Sequence, residues 1–395
     1  MAFLKKSTIA FISQVRQENF DVLIGKGFSE AFFWRETFKR MIFICYSTTG
    51  DFLYRKIYNN CYLIAIPFTL SPSAFKSIAN LFNNYLKLYV FLKKLSKVVK
   101  IDIIRMENTL LAGPPTFLHS KKEKIPLLIW LGGNERKALL SKYKKNIFTL
   151  LLSKLLVLYE IIILKSANFV FPVTEELFEL TEKRNIKNKF LSPNYVNLEK
   201  FKDKKPETTS NSNNKIKILF VGRFEKEKGV KLLIKAFKIL LEKNANLELI
   251  MAGDGSLRGW IEDYLYKYKI KNVNLLGWIH HDNLPDIYNS ADVFVLPSYT
   301  EGSPASLIEA MSCGTASIAT AVGDTQKIIK NEYNGILIPP GNIKKLIEAI
   351  QNLLDQANLL DKFSKNGRSS IINYTKSYYK IHRYVFKKVL KIYNA

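Results

Sequence analysis

From residue 215 onward the chain alternates short apolar runs with longer amphipathic ones, and no other feature constrains its fold as strongly. "KIKILFVGR" (215–223) leads into "GVKLLIKAFKILLEK" (229–243), where apolar residues recur every three to four positions. "NLELIMAG" (246–253), a helical stretch at 256–268, "NVNLLG" (272–277), a helix around 283–290 and "DVFVLPS" (292–298) continue the scheme. "TASIAT", a helix, "NGILIPP" and "IKKLIEAIQNLLDQ" repeat it. The first half shows the same pattern less cleanly, with strand-like runs at 7–13, 39–47, 61–67, 99–105, 125–133 and 168–174. Between the halves lies "DKKPETTSNSNN" (203–214), a polar run that reads as a linker. The expectation is an α/β protein of two Rossmann-like, doubly wound domains, residues 1–205 and 215–372. At 395 residues the chain is too long for one ordinary core, which agrees.

Ligands of such sheets bind outside the carboxyl ends of the strands. Four loops there carry something in the second half. "GRFEKEKGV" (222–230) offers Gly222 for a tight turn, and Arg223 and Lys228 beside a helix start, an anion site in outline. "AGDGSLRGWIE" (252–262) offers Gly253 and Gly255 for close backbone approach, with Ser256 as an N-cap. "GWIHHDNLPDIYNSAD" (277–292) holds two adjacent histidines with no third ligand nearby, so an exposed loop is expected there and not a metal pair.

The fourth loop, "YTEGSPASLIEAMSCG" (299–314), has two carboxylates, Glu301 and Glu309, eight positions apart. Ser303 and Pro304 look like an N-cap and a first helical position, and Gly314 like a C-terminal stop, giving a helix over about 304–312. Glu309 then sits on a helix flanked by Leu307, Ile308, Ala310 and Met311. An acid in such company wants a partner, whether a diol, an N–H or simply a lysine.

These loops together resemble the retaining glycosyltransferases of family 4, two-domain enzymes of the GT-B fold. The resemblance covers about residues 164–393 and rests on "SANFVFPVTEEL", "PNYVNLEKF", "GRFEKEKG", "AGDGSLR", "NSADVFVLPSYTEGSPASLIEAMSCG", "VGD" and "NGILIPPGN". It implies two domains facing a central cleft, and transfer of a sugar from a nucleotide diphosphate sugar with retained configuration. Arg223 and Lys228 match the residues that hold the donor diphosphate, so no cofactor and no divalent metal is implied. Glu301 matches the acid beside the transferred sugar, and Glu309 the acid that takes the ribose hydroxyls. Backbone N–H groups from Gly302 to Ala305, a stretch that also holds Ser303 and Pro304, would add to the diphosphate site. Residues 373–395 resemble a C-terminal helix that crosses back to the first domain.

The N-terminal half departs from the family. "FISQVRQENFD" lacks the glycine-rich loop of many relatives, and Gly132 stands where relatives often have a histidine. Glu107, Gly132, Gly133 and Asn134 end strands and are the acceptor-side candidates. Two other readings keep the fold or the ligand but change the chemistry. One is a nucleotide-sugar epimerase or a phosphorylase-like enzyme; the other is a non-catalytic protein that binds nucleotide or glycan.

Composition narrows the partners. The net charge is +26, yet only 11 of the 60 basic residues are arginine. No helix-turn-helix, zinc-finger or RNA-binding signature accompanies it, which argues against nucleic acid and for an anionic substrate or membrane surface. Cys45, Cys61 and Cys313 have no metal-ligand spacing, and a reducing cytosol suits them. From the residues at its start no secretory signal is expected. "IFTLLLSKLLVLYEIIIL" (147–164) contains Lys154 and Glu160 and is expected to be a buried helix, not a membrane span. The implied location is cytoplasmic, peripheral on the inner face of the membrane, with a glycan or lipid-linked acceptor of envelope polysaccharide synthesis. "LFNNYLKLYVFLKKLSKVVK" (81–100) sets Leu81, Tyr85, Leu88, Leu92 and Leu95 at helical spacing among lysines. That stripe faces either the core or an anionic leaflet.

Overall fold

The computed structural model describes residues 6–17, 37–47, 52–68, 74–107, 109, 112–133, 147–204, 215–244 and 246–393. The chain divides into two compact units, Met1–Pro193 with Tyr379–Ala395, and Asn194–Tyr378. The polar run 203–214 therefore does not separate them: the chain passes into the second unit some ten residues earlier, and Asn194–Lys204 packs as part of it. Residues 205–214 of that run lie outside the described residues.

The first unit contains β1 (Thr8–Gln17), β2 (Arg40–Ser47), β3 (Leu53–Tyr58), β4 (Cys61–Pro67), α1 (Ala74–Val98), β5 (Ile103–Glu107), α2 (Gly113–Lys122), β6 (Leu127–Leu131), α3 (Ile147–Ser166), β7 (Phe169–Pro172) and α4 (Glu175–Lys183). Its seven strands run in the order β3-β4-β2-β1-β5-β6-β7 and are parallel, apart from β3, which is antiparallel to β4. β3 is the strand the sequence hides. Its Tyr54, Arg55 and Lys56 are exposed, a charged edge of the kind that blocks further strand pairing.

Successive side chains of each strand go to opposite faces, and both faces are covered. Ile42, Ile44, Ile104, Met106 and Ile129 meet Leu88 and Leu92 of α1 and Ile163 and Leu164 of α3 on one face. Met41, Phe43, Ile103, Leu128 and Phe171 meet Val385, Phe386, Val389 and Leu390 on the other. Those last four belong to the C-terminal helix, which is no separate element over 373–395. It is the end of one 37-residue helix, Ala357–Tyr393.

One open alternative is resolved and one expectation corrected. The Leu88–Leu92–Leu95 stripe of α1 faces the core, whereas Phe82, Leu86 and Val90 on the same helix are exposed. The 147–164 helix, α3, is not wholly buried: Leu155, Leu158 and Ile162 are exposed. Apolarity all round a helix cannot say which side meets a sheet. Inside it, Glu160 is buried and ion-paired to Arg184 at 2.6 Å, and Thr109 donates to it at 3.4 Å. Among the described residues no helix is long and apolar enough to cross a membrane.

His382 is buried against Phe171, ring centroids 4.6 Å apart, and shares a 2.8 Å hydrogen bond with Ser192. Burial, and then the charge of the fully buried Arg105, hold its imidazole well below the ordinary histidine range. The unfolded chain therefore takes up this proton first. Stability is complete above the unfolded pKa of about 6.5 and falls as pH drops below it, by about 1.4 kcal/mol per unit while His382 stays neutral. Urea titrations between pH 8 and pH 5 are expected to show this slope, and His382→Gln to flatten it.

The second unit contains β8 (Ile216–Val221), α5 (Val230–Lys243), β9 (Leu247–Ala252), α6 (Arg258–Lys267), β10 (Val273–Gly277), α7 (Leu284–Asn289), β11 (Val293–Leu296), α8 (Ala305–Ser312), β12 (Ala316–Thr320), α9 (Thr325–Ile328), β13 (Ile336–Ile338), α10 (Ile343–Asp355) and, as far as Tyr378, α11 (Ala357–Tyr393). Its six strands are all parallel, in the order β10-β9-β8-β11-β12-β13. The chain builds outward from β8 through β9 to β10, then returns to lay β11 on the other side of β8. The crevice of a doubly wound sheet opens at such a reversal, here between the carboxyl ends of β8 and β11.

Candidate donor site at the β8 and β11 strand ends

The sequence-predicted loops converge at this reversal. After β8, Arg223 leads into a single 3-10 turn, Lys226–Lys228, that ends on Gly229 in the left-handed conformation, φ 69°. A Cβ at Gly229 would stand 1.9 Å from the Pro297 carbonyl oxygen, so only glycine lets the β8 loop lie against the end of β11. The Tyr299 N–H donates to the Glu227 carbonyl at 2.8 Å and ties the two loops further.

Lys228 then meets Glu301. Its Nζ lies 2.7 Å from Glu301 Oε1, and the Ser298 hydroxyl donates to the same oxygen at 2.6 Å. The Glu301 side chain is only 6% exposed and that of Lys228 21%. A carboxylate this enclosed requires its cation, and the ammonium has two further donors for an incoming oxygen. Arg223 is instead an exposed side chain, paired to Glu227 Oε1 at 3.0 Å. The structure thus brings Lys228, Glu301 and Ser298 into one cluster and leaves Arg223 at its rim.

The helix carrying Glu309 starts one residue later than the sequence suggests. Pro304, extended at φ −74° and ψ 100°, is the N-cap, and α8 runs from Ala305. Ser303 does not cap it: its hydroxyl and carbonyl accept from the Asn194 backbone and side-chain amides at 2.9 and 2.6 Å. No side chain caps α8, and Pro304 has no N–H. The donors open to an anion are therefore those of the first turn from Ala305 on, with Gly302 and Ser303 just before it. Gly314 ends the helix as expected, at φ 71°.

The β9 loop behaves differently from its reading. Gly253, φ 144°, would place a Cβ 1.9 Å from the Gly222 carbonyl oxygen. The close approach it permits is that of the β8 strand end, with no ligand needed to explain it. The Gly255 N–H is turned to Asp254 Oδ1 at 2.7 Å. Ser256 caps no helix either. Its N–H and hydroxyl donate to Glu225 at 3.0 and 2.6 Å, holding that carboxyl below the usual range and fastening the two loops together.

Glu309 shows what sequence reasoning missed. Its Oε1 lies 2.9 Å from His281 Nε2, and its Oε2 accepts from the Tyr288 hydroxyl at 2.9 Å. His281 is thus no bystander on an exposed loop: it packs on Phe201 and faces the acid. Burial, and then the Glu309 charge, push the Tyr288 hydroxyl well above its ordinary pKa, which keeps it a donor. A carboxylate has about four lone-pair sites, so two remain for hydroxyls of a ligand.

In the first unit, Glu107 ends β5 and accepts from the Ser13 hydroxyl of β1 at 2.5 Å, where the β1 and β5 ends adjoin. Burial, and then Glu107, push the Cys45 thiol up to about 12, so it is no nucleophile. Gly132 and Gly133 follow β6, and a Cβ on Gly133 would meet nothing within 4 Å. Asn134 lies outside the described residues. Among the described residues, no three His, Cys, Asp or Glu side chains gather where they could share a metal ion.

Residues 201–370 match the family model described as glycosyl transferases group 1. The chain is 35% identical over 155 residues to an uncharacterised glycosyltransferase of Methanocaldococcus jannaschii, covering 39% of this chain and 40% of that one. It is 33% identical over 194 residues to the Escherichia coli UDP-Gal:alpha-D-GlcNAc-diphosphoundecaprenol alpha-1,3-galactosyltransferase, 46% of this chain and 49% of that one. The matched part spans less than half the length of either relative. Sucrose-phosphate synthase from Thermosynechococcus elongatus superposes with a TM-score of 0.72 at 21% identity, over 98% of this chain and 100% of that one. The fold is accordingly that of the GT-B glycosyltransferases.

Proposed function

We propose that this chain, whose residues 201–370 match the glycosyl transferases group 1 model, transfers a hexose from a nucleotide diphosphate sugar to a glycan or lipid-linked acceptor, with retained configuration. The observation that carries the reading is the Lys228–Glu301 pair at the β8 and β11 strand ends. In this reading Lys228, Arg223 and the first-turn N–H groups of α8 hold the diphosphate and stabilise its charge as it departs. Glu301 accepts from hydroxyls of the transferred sugar, and Glu309 from the ribose. Glu107 and Gly132–Gly133 stand on the acceptor side. The fixed cations take the place of a divalent ion. Assayed with a panel of nucleotide sugars, the enzyme is expected to keep its transferase activity in EDTA. Complete loss restored by Mn²⁺ or Mg²⁺ would overturn the metal-free reading.

The acceptor class is argued from the first unit. The E. coli relative bears in its name an undecaprenol-linked acceptor. Phe82, Leu86 and Val90 on α1, Leu118 on α2, and Leu155, Leu158 and Ile162 on α3 are exposed, on helices that cover one face of the sheet. Lys93, Lys94, Lys97, Lys121, Lys122 and Lys154 are exposed on the same helices, and α1 and α2 contain no acid. Apolar side chains set among lysines suit the anionic cytoplasmic leaflet, each lysine contributing about 1 kcal/mol at low salt. A peripheral enzyme of cell-envelope polysaccharide synthesis is the implied role. The protein is expected to sediment with anionic vesicles and not with neutral ones, and less in high salt. Lys93→Glu with Lys94→Glu and Lys97→Glu is expected to release it, and equal recovery in both supernatants would count against membrane docking.

A further inference from the structure

His281 does not end the contacts of Glu309. Its other ring nitrogen, Nδ1, lies 2.8 Å from Lys200 Nζ, and Lys200 is in turn 2.5 Å from Asp282 Oδ1. An ammonium only donates, so Nδ1 accepts and the ring proton sits on Nε2, aimed at Glu309 Oε1. Phe201, fully buried, packs against His281 at 5.1 Å and against Tyr288 at 6.0 Å between ring centroids, so one side chain braces both donors to the acid. Lys200 and Phe201 stand just ahead of the polar run at 203–214, about 80 residues before the loop they support.

From this chain of contacts we infer that Lys200 and His281 are positioning residues for donor recognition: they fix the tautomer and the carboxylate plane of Glu309 so that its two remaining lone-pair sites meet a cis-diol. The inference rests on the reading of Glu309 as the ribose acid. Two donors from opposite sides, His281 on Oε1 and Tyr288 on Oε2, leave the carboxylate no freedom to rotate. Without the His281 arm it turns about its last torsion, and the diol loses a preorganised partner. The ribose contact is the same in ground and transition states, so its loss belongs in KM and leaves kcat nearly unchanged.

The test is the ratio of affinities for a ribose and a 2′-deoxyribose nucleotide, measured calorimetrically. The probe pair is the tightest binder among ADP, GDP, UDP and CDP and its 2′-deoxy form. Wild type is expected to prefer the ribose form by about tenfold or more, the scale of one or two hydrogen bonds to a charged group. Glu309→Gln is expected to abolish that preference. His281→Ala and Lys200→Met are expected to reduce it at least threefold, with KM raised and kcat held within about twofold. His281→Gln, which keeps an N–H donor, is expected to restore part of it. A purely structural role would weaken both nucleotides equally and leave the ratio intact. Retention of the full ratio in His281→Ala, with its loss in Glu309→Gln, would overturn this inference and leave the ribose role of Glu309 standing. No preference in wild type would overturn the ribose role itself.

Discussion

Replacing Lys228 by alanine is expected to lower kcat/KM by about 10²- to 10³-fold, and Arg223→Ala by about 10²-fold, while both variants stay folded. The two cations do this from different starting points. Lys228 is enclosed, 2.7 Å from a Glu301 that is 6% exposed, so its ammonium already sits where the loops have little water. Arg223 holds Glu227 at the surface, a weak pair that a diphosphate can readily displace. Loss of Lys228 also strands the Glu301 carboxylate, leaving it the Ser298 hydroxyl but no cation. The double variant Lys228→Ala with Glu301→Gln separates these effects: it relieves the stranded charge but not the missing stabilisation of the leaving group. Its melting temperature is expected to exceed that of Lys228→Ala while its turnover stays low. Near-normal turnover in both single variants would remove the diphosphate from this end of the sheet.

The largest expected change in stability belongs to the first unit. Arg184→Met is expected to cost about 3–5 kcal/mol, because it leaves Glu160 as an uncompensated charge inside an apolar helix. Both side chains are about one-tenth exposed, 10% and 9%. The double variant Arg184→Met with Glu160→Leu is expected to recover most of the loss, since two apolar side chains of similar volume replace a buried ion pair at little cost. Urea denaturation of the three proteins measures this directly. A cost below about 1 kcal/mol for Arg184→Met would mean that water reaches the pair.

The sequence by itself determined the two α/β halves and the place of the site. Apolar runs of strand length between amphipathic helices leave a doubly wound sheet as the economical fold, and its chemistry falls on the loops after the strands. Lys228, Glu301 and Gly314 were legible there because each is a local matter of backbone conformation or of residue type at a loop. What only the tertiary structure decided is partnership and facing. Lys228 and Glu301, 73 positions apart, meet because β11 returns to lie beside β8, and His281 and Glu309, 28 apart, meet where α7 packs on α8. Ser303 and Ser256, good caps by type, were drawn off to Asn194 and Glu225, since a hydroxyl goes to whichever partner the fold brings nearest. The same limit governs α1 and α3. Periodicity reports that a helix has an apolar side, but a helix apolar on two sides buries the one that meets the sheet, and the strands alone set which one that is.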